Sequence, residues 1–271
     1  MNKIVNLHKM NTSLDDKNNA NYQLEDICMN HYIGKNLKIE FLNVINCVSC
    51  GIKTKKSYSQ GHCFMCMRRL PECDICIVKP ELCHFSEGTC RDSEWGEKNC
   101  MKTHIVYLAN TGDTKVGITK LKNVPSRWID QGASQAIPIF AVENRLISGL
   151  VEVAIKEHIS DKTNWRKMLQ GDPDNSVDFI GLRDELISKS TDKISQIKAK
   201  HGENSVEPVE GSIQDINYPV LEYPTKIKSF NLDKDPIIDA KLMGIKGQYL
   251  IFDTGVINIR KFSGYKCNIS V

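Results

Sequence analysis

Hydrophobic and polar positions change period several times along this chain, and each change predicts an element. Residues 105–109 form a compact apolar run, and Asn110-Thr111-Gly112-Asp113 then supplies the positive-φ tolerance of a tight turn. Residues 115–119 return as a second strand, so the spacing predicts a hairpin. Pro125 stands where a helix would begin and Gly132 where it would stop, which predicts a short helix over 125–131. Residues 137–142 read as a strand. Ser148 is placed to cap a helix running to about residue 159, with Leu150, Val151, Ala154, Ile155 and Ile159 as its apolar stripe. Glu152 lies at the edge of that stripe, and His158 within it as a core histidine.

Outside this centre the pattern is simpler. The first 25 or so residues are polar, with Asp15-Asp16-Lys17-Asn18-Asn19 in their middle, and are expected to be poorly ordered. Residues 37–45 alternate as one strand. Phe179, Ile180, Leu182, Leu186, Ile187, Ile194 and Ile197 give an amphipathic helix over 178–201, and 202–215 has linker composition. Beyond Tyr218 the segments 226–232, 237–243, 248–252, 256–259 and 265–269 read as five short strands between turn residues. That density predicts a small C-terminal β-barrel, OB-like or SH3-like, which the early strand 37–45 could join. The resulting expectation is an α+β protein in five segments. They are a tail and strand (1–46), a cysteine-rich segment (47–103), a central α/β module (104–170), a helix and linker (171–216) and a small barrel (217–271).

With 271 residues the chain is long enough for two or three small domains. Its net charge of +3 is too mild to announce a nucleic-acid binder, but the distribution is uneven. Residues 51–70 hold Lys53, Lys55, Lys56, Arg68 and Arg69 with no acid, and 104–169 add Lys115, Lys120, Lys122, Arg127 and Lys162. No stretch is apolar enough for a membrane span, and Met1-Asn2-Lys3 opens no signal segment, so the expectation is a soluble cytoplasmic protein. In that compartment eleven cysteines read as thiolate metal ligands before disulfides.

Their spacing sharpens this. Cys47-x2-Cys50 and Cys63-x2-Cys66 are two knuckles that together complete a tetrahedral, closed, structural Zn²⁺ site. Cys73, Cys76, Cys83, Cys90 and Cys100 follow, with His84 and His104 nearby. Cys73-x2-Cys76 reads as a third knuckle that two later residues could close into a second site, and spacing does not decide which two. A redox CxxC would need a βαβ setting that is absent, and an iron–sulfur cluster is the remaining alternative. Cys267, remote from the rest, reads as a core thiol.

The order hairpin, helix, strand, helix resembles the GIY-YIG nuclease superfamily, and several residues fall at its motif positions. Tyr107, within Ile105-Val106-Tyr107-Leu108, stands at the first motif, and Gly117 in Val116-Gly117-Ile118 matches the second motif's glycine. Arg127, Glu152 and Asn164 follow in the superfamily's order. The first motif lacks its glycine, and Val116 replaces the second tyrosine. The resemblance implies phosphodiester cleavage with Mg²⁺ or Mn²⁺ on Glu152, Arg127 on the phosphate, Tyr107 serving the water and Asn164 bracing the site. Nearly the whole chain is also similar to a bacterial family described as domain of unknown function 2797, through runs such as Arg127-Trp128-Ile129-Asp130-Gln131-Gly132-Ala133 and Gly244-Ile245-Lys246-Gly247-Gln248-Tyr249-Leu250. That similarity implies no activity.

Each residue also has a plainer role. Tyr107 fits a core strand position, and Arg127 could pair with Asp130 on a helix surface. Glu152 in a first turn would favour the helix dipole, Asn164 could end a helix, and Trp165 suits a core. Three functions follow: a divalent-metal-dependent endonuclease acting on DNA rather than RNA, a non-catalytic zinc-containing nucleic-acid-binding protein, and a zinc-stapled protein–protein adaptor.

Overall fold

A computed structural model describes residues 2–171 and 177–271; residues 1 and 172–176, which fall in the predicted segments 1–46 and 171–216, lie outside the described residues. The N-terminal region is structured by pairing. Strand β1 (Asn2–Asn6) lies along the last strand of the chain. Strands β2 (Asn11–Leu14) and β3 (Ala20–Leu24) form a hairpin to which β4 (Ile27–Cys28) adds. The Asp15 carboxylate accepts the backbone N–H groups of Lys17 and Asn19 and so closes the turn. The expected disorder is therefore corrected. Alternate residues Ala20, Tyr22 and Leu24 are buried, a period-2 pattern that polar neighbours conceal in the composition.

β5 (Asn36–Asn46) leads into the cysteine-rich segment, where β6 (Lys53–Thr54) pairs with its end. Two short helices, α1 (Phe64–Arg69) and α2 (Ser93–Asn99), are joined by single 3-10 turns. The central hairpin is β7 (His104–Asn110) and β8 (Thr114–Lys120), followed by α3 (Ser126–Asp130) and β9 (Gln135–Val142). α4 (Arg145–Ile155) begins four residues earlier than the Ser148 cap predicts, because Asn144 accepts the Ile147 N–H at 3.1 Å. Glu152 thereby moves out of the first turn, which removes the helix-dipole account of it. The helix also stops at Ile155, so His158 is exposed and not in the core.

α5 (Trp165–Leu169) and α6 (Phe179–His201) follow. The segment of linker composition contains β10 (Val206–Pro208) and β11 (Gln214–Asp215), both paired with β9. The chain closes with β12 (Ile237–Lys246), β13 (Tyr249–Phe252), β14 (Gly255–Asn258) and β15 (Tyr265–Ser270).

The result is a mixed α/β fold with several sheets, and the C-terminal barrel is corrected: among the described residues no sheet closes. The C-terminal strands belong to a seven-stranded sheet ordered β1-β15-β5-β12-β13-β14, with β6 beside β5. The eleven-residue β5 inserts between β15 and β12, while β1 takes the other edge of β15, and among the described residues β1 and β14, the two ends of the row, do not pair. Residues 226–232 contribute only a single bridge, Ser229 to Val256, and no strand.

The central sheet, ordered β10-β9-β7-β8, is antiparallel and covered on both faces. Ile105, Tyr107 and Ala109 face a core shared with the large sheet and the N-terminal hairpin. Val106 and Leu108 face a second core built with α4 and α6. Burial of both faces explains why β7 is apolar almost throughout and does not alternate.

Candidate functional site

The cysteine cluster is assembled by backbone geometry over twenty residues. Cys47 follows β5, and Gly51 (φ +72°) turns the chain so that its N–H reaches the Cys47 carbonyl at 2.9 Å. Cys63 caps α1, and its own N–H donates to the Cys47 sulfur at 3.2 Å, while the Cys66 N–H donates to the Cys63 sulfur at 3.5 Å. The sulfurs of Cys47, Cys50, Cys63 and Cys66 all lie within 4.8 Å of one another, with Cys50 and Cys63 3.8 Å apart. A tetrahedral zinc with Zn–S bonds of about 2.3 Å separates its sulfurs by about 3.8 Å, so the donor set fits that ion. Burial disfavours the Cys47 thiolate, but N–H groups of Cys50, Cys63 and Ser49 outweigh it and draw its pKa down to about 6.

A second group of ligands lies in the folded turns that follow. Side-chain donor atoms of Asp74, Cys76 and His84 are within 4.8 Å of one another, and Arg91 Nε anchors Asp74 at 2.6 Å. Cys83, Cys90 and Cys100 line the same small pocket, with Cys76, Cys83 and Cys100 buried together against Phe85 and Trp95. The Cys100 thiol donates toward Cys83 and holds its pKa down near 6. Cys73 stands apart from this group, next to Ser59. The Cys73-x2-Cys76 pair is thus split between two surroundings, and Asp74 and His84 join where the cysteine pattern alone pointed elsewhere.

This segment is fastened to the central module. Arg145, first residue of α4, donates to the carbonyls of Cys76 and Ile77 at 3.2 and 2.6 Å. Gly149 lets the same helix touch the 80–82 turn: a Cβ there would sit 2.2 Å from the Glu81 nitrogen. The seam borders a cleft of about 430 Å³. Five cations (Lys115, Lys120, Arg127, Arg145 and Arg260) and two acids (Glu152 and Asp161) line it. Arg127 and Glu152, twenty-five residues apart, are therefore brought to one cavity. Tyr107 and Asn164 are not among its lining residues.

Tyr107 is fully buried behind the cleft wall. Its hydroxyl donates to Gln131 Oε1 at 3.0 Å, and its ring packs edge-on to Trp128 at 5.8 Å. The cross-strand partner is Gly117, where a Cβ would fall 2.8 Å from the Tyr107 ring and oxygen. Glycine at this position thus makes room for the phenol. Burial raises the Tyr107 pKa, with Arg127 opposing, and the hydroxyl faces Gln131 and Arg127. Asn164 is exposed and caps α5 at its N-terminus by accepting the Lys167 N–H at 3.3 Å; it does not end a helix. Trp165 stacks on Tyr249, centroids 5.6 Å apart, and joins α5 to the large sheet.

Lys115 is only 5% exposed. Burial, then Arg127, lowers its pKa to about 8, against Glu152 and Asp161. Burial, then Asp161, raises Glu152 to about 7, against Lys156 and Lys115. Among the described residues no ion pair joins either side chain to a partner. The 160–161 backbone runs along β8, where the Ser160 carbonyl accepts the Val116 N–H at 2.9 Å, and this places Asp161 at the rim. Sequence reasoning had counted Lys115 only as part of a charge distribution; its burial follows from the covered sheet and has no local signature.

The family described as a protein of unknown function, DUF2797, matches residues 34–267. The chain belongs to the DUF2797 family. No curated protein matches it, and no solved structure does. The DUF2797 match spans β5, both cysteine groups, the cleft and most of the C-terminal sheet, so cluster and cleft are parts of one family unit. No described helix of this DUF2797 protein is long and apolar enough to cross a membrane.

Proposed function

We propose that this protein is a zinc-containing nucleic-acid-binding protein, with DNA as its ligand, that holds phosphate in the cleft of the central module. One observation carries the reading: five cations against two acids in a single cavity, with Lys115 buried in its wall and in no ion pair with an acid among the described residues. A cavity with that balance favours an anion, and the planar fork of Arg127 suits phosphate oxygens. Zinc on Cys47, Cys50, Cys63 and Cys66 keeps the segment beside the cleft folded, as closed four-thiolate sites do. The Asp74/Cys76/His84 group, with Cys83, Cys90 and Cys100 at hand, would take a second ion.

The test is fluorescence anisotropy with a short labelled DNA duplex across roughly 50 to 200 mM salt. Affinity is expected to fall steeply with salt, and Arg127→Ala to reduce the log–log slope by about one phosphate contact. Flat salt dependence would move the protein to the adaptor class.

A second reading is favoured by Glu152 and Asp161 sharing the cleft with Arg127: hydrolysis of the bound phosphodiester, as the resemblance to GIY-YIG nucleases implies. Mg²⁺ held by Glu152 would supply charge relief at the phosphate. Lys115 and Arg127 would bind and orient the diester, and Tyr107 would brace Arg127 from behind. Mg²⁺-dependent cleavage lost in Glu152→Ala, with binding kept, separates this reading from binding alone.

A further inference from the structure

The outer face of the Cys47–Cys66 segment has a composition that structural zinc does not require. Residues 51–70 contain five cations and no acid. Large apolar side chains stand among them in solvent: Ile52 is 64% exposed, Met65 51% and Phe64 45%. Together with Lys53, Lys55, Tyr58 and Arg69 they line one groove of about 520 Å³. Tyr58 and Phe64 lie edge-to-face with centroids 5.5 Å apart. Each ring has a cation over it, Lys56 Nζ at 4.9 Å from Tyr58 and the Arg68 guanidinium carbon at 5.8 Å from Phe64. An exposed apolar patch of this kind marks a binding surface, and its charge restricts the partner to an anion.

We propose that this face is a platform for single-stranded nucleic acid, with bases stacked on Tyr58 and Phe64 and phosphates met by Lys53, Lys55 and Arg69. Exposed rings flanked by cations, with no acid between them, match a ligand that alternates flat apolar groups with negative charges. A duplex keeps its bases stacked inside and cannot offer them to the rings. An acidic peptide supplies the charge but no repeating π-face. The face also continues toward the cleft. Tyr58 is two residues from Gln60, which lines the cleft and accepts from Arg260 at 2.5 Å. A strand leaving the cleft would therefore meet the platform next, so this inference rests on the nucleic-acid reading of the cleft.

The experiment uses the full zinc-loaded chain with labelled oligothymidylate and, separately, a labelled duplex. Tyr58→Ala with Phe64→Ala is expected to weaken oligothymidylate by about tenfold or more, leaving duplex binding within about twofold and zinc content unchanged. Arg127→Ala should weaken the duplex, and the aromatic pair should still weaken oligothymidylate in that background, so loss of duplex binding indicts the cleft and loss of oligothymidylate without loss of the duplex tests the platform. Should the aromatic pair lose its zinc, Lys53→Glu with Lys55→Glu, both exposed, carries the test and should weaken oligothymidylate comparably. Unchanged oligothymidylate affinity in the variant set that retains zinc overturns the proposal. Displacement by a polyglutamate peptide as readily as by unlabelled oligothymidylate overturns it too, and assigns the groove to acidic protein segments.

Discussion

The four-cysteine cluster and the cleft handle charge in opposite ways. In the cluster, every donor comes from one stretch of twenty residues, and backbone N–H groups already point at the sulfurs. The site is prepared for one cation. In the cleft, the charges come from β8, α3, α4, the segment after it and the turn after β14, and Lys115 and Glu152 sense each other without pairing. A fold that holds opposite charges in one partly desolvated cavity and leaves them apart is less stable for it. The difference separates a site that supports folding from one that folding supports.

Removing the metal should break the comparison most severely. Chelation, or Cys63→Ser, is expected to cost the segment on the order of 10 kcal/mol of metal-linked folding energy. Hydrogen exchange should then show residues 47–70 losing protection while β7, β8 and β9 keep theirs. Equal loss in both regions would mean that the cluster is no separate folding unit.

Neutralising the cleft should act in the other direction. Folded, Glu152 keeps its proton to about pH 7, whereas its ordinary value is 4.5. Between those limits the folded state binds the extra proton, so stability falls as pH rises and the full cost stands above pH 7. Glu152→Gln is expected to raise stability at pH 8 by at most about 3 kcal/mol and to give no gain below pH 4.5. Thermal melts at the two pH values check this; a variant less stable at pH 8 would contradict the described environment.

The smallest change probes how the cleft wall is built. Gly117→Ala would drive a methyl group into a buried, hydrogen-bonded phenol, for about 1–3 kcal/mol of overpacking. A denaturant midpoint equal to wild type would show that Tyr107 has room to move.

The legible parts of this protein are local. Cys47, Cys50, Cys63 and Cys66 could be grouped from spacing because two knuckles need only a few residues each. The 104–120 hairpin was legible from a turn between apolar runs. The failures have one character. Asn144 and Ser148 are both good helix caps; α4 starts from Asn144, and the turn that follows, with Gly149, packs on the 80–82 turn. Strand patterns beyond Tyr218 looked like a barrel that 37–45 could join; β5 does join them, between β15 and β12, but among the described residues the ends of the row, β1 and β14, do not pair. Cys73 and Cys76 stand at knuckle spacing, and the 3-10 turns between them place Cys73 near Ser59 and Cys76 in the pocket with Cys83 and Cys100.

The amino-acid sequence by itself determined that Cys47, Cys50, Cys63 and Cys66 can share an ion, where the central hairpin turns and which faces are apolar, because these depend on contacts a few residues apart. Tertiary structure decided which charges meet. Arg127, Glu152 and Lys115 acquire a common cavity only when α4 locks against the cysteine-rich turns and both faces of the central sheet are covered. Burial and long-range strand pairing belong to the whole fold, so no local pattern encodes them.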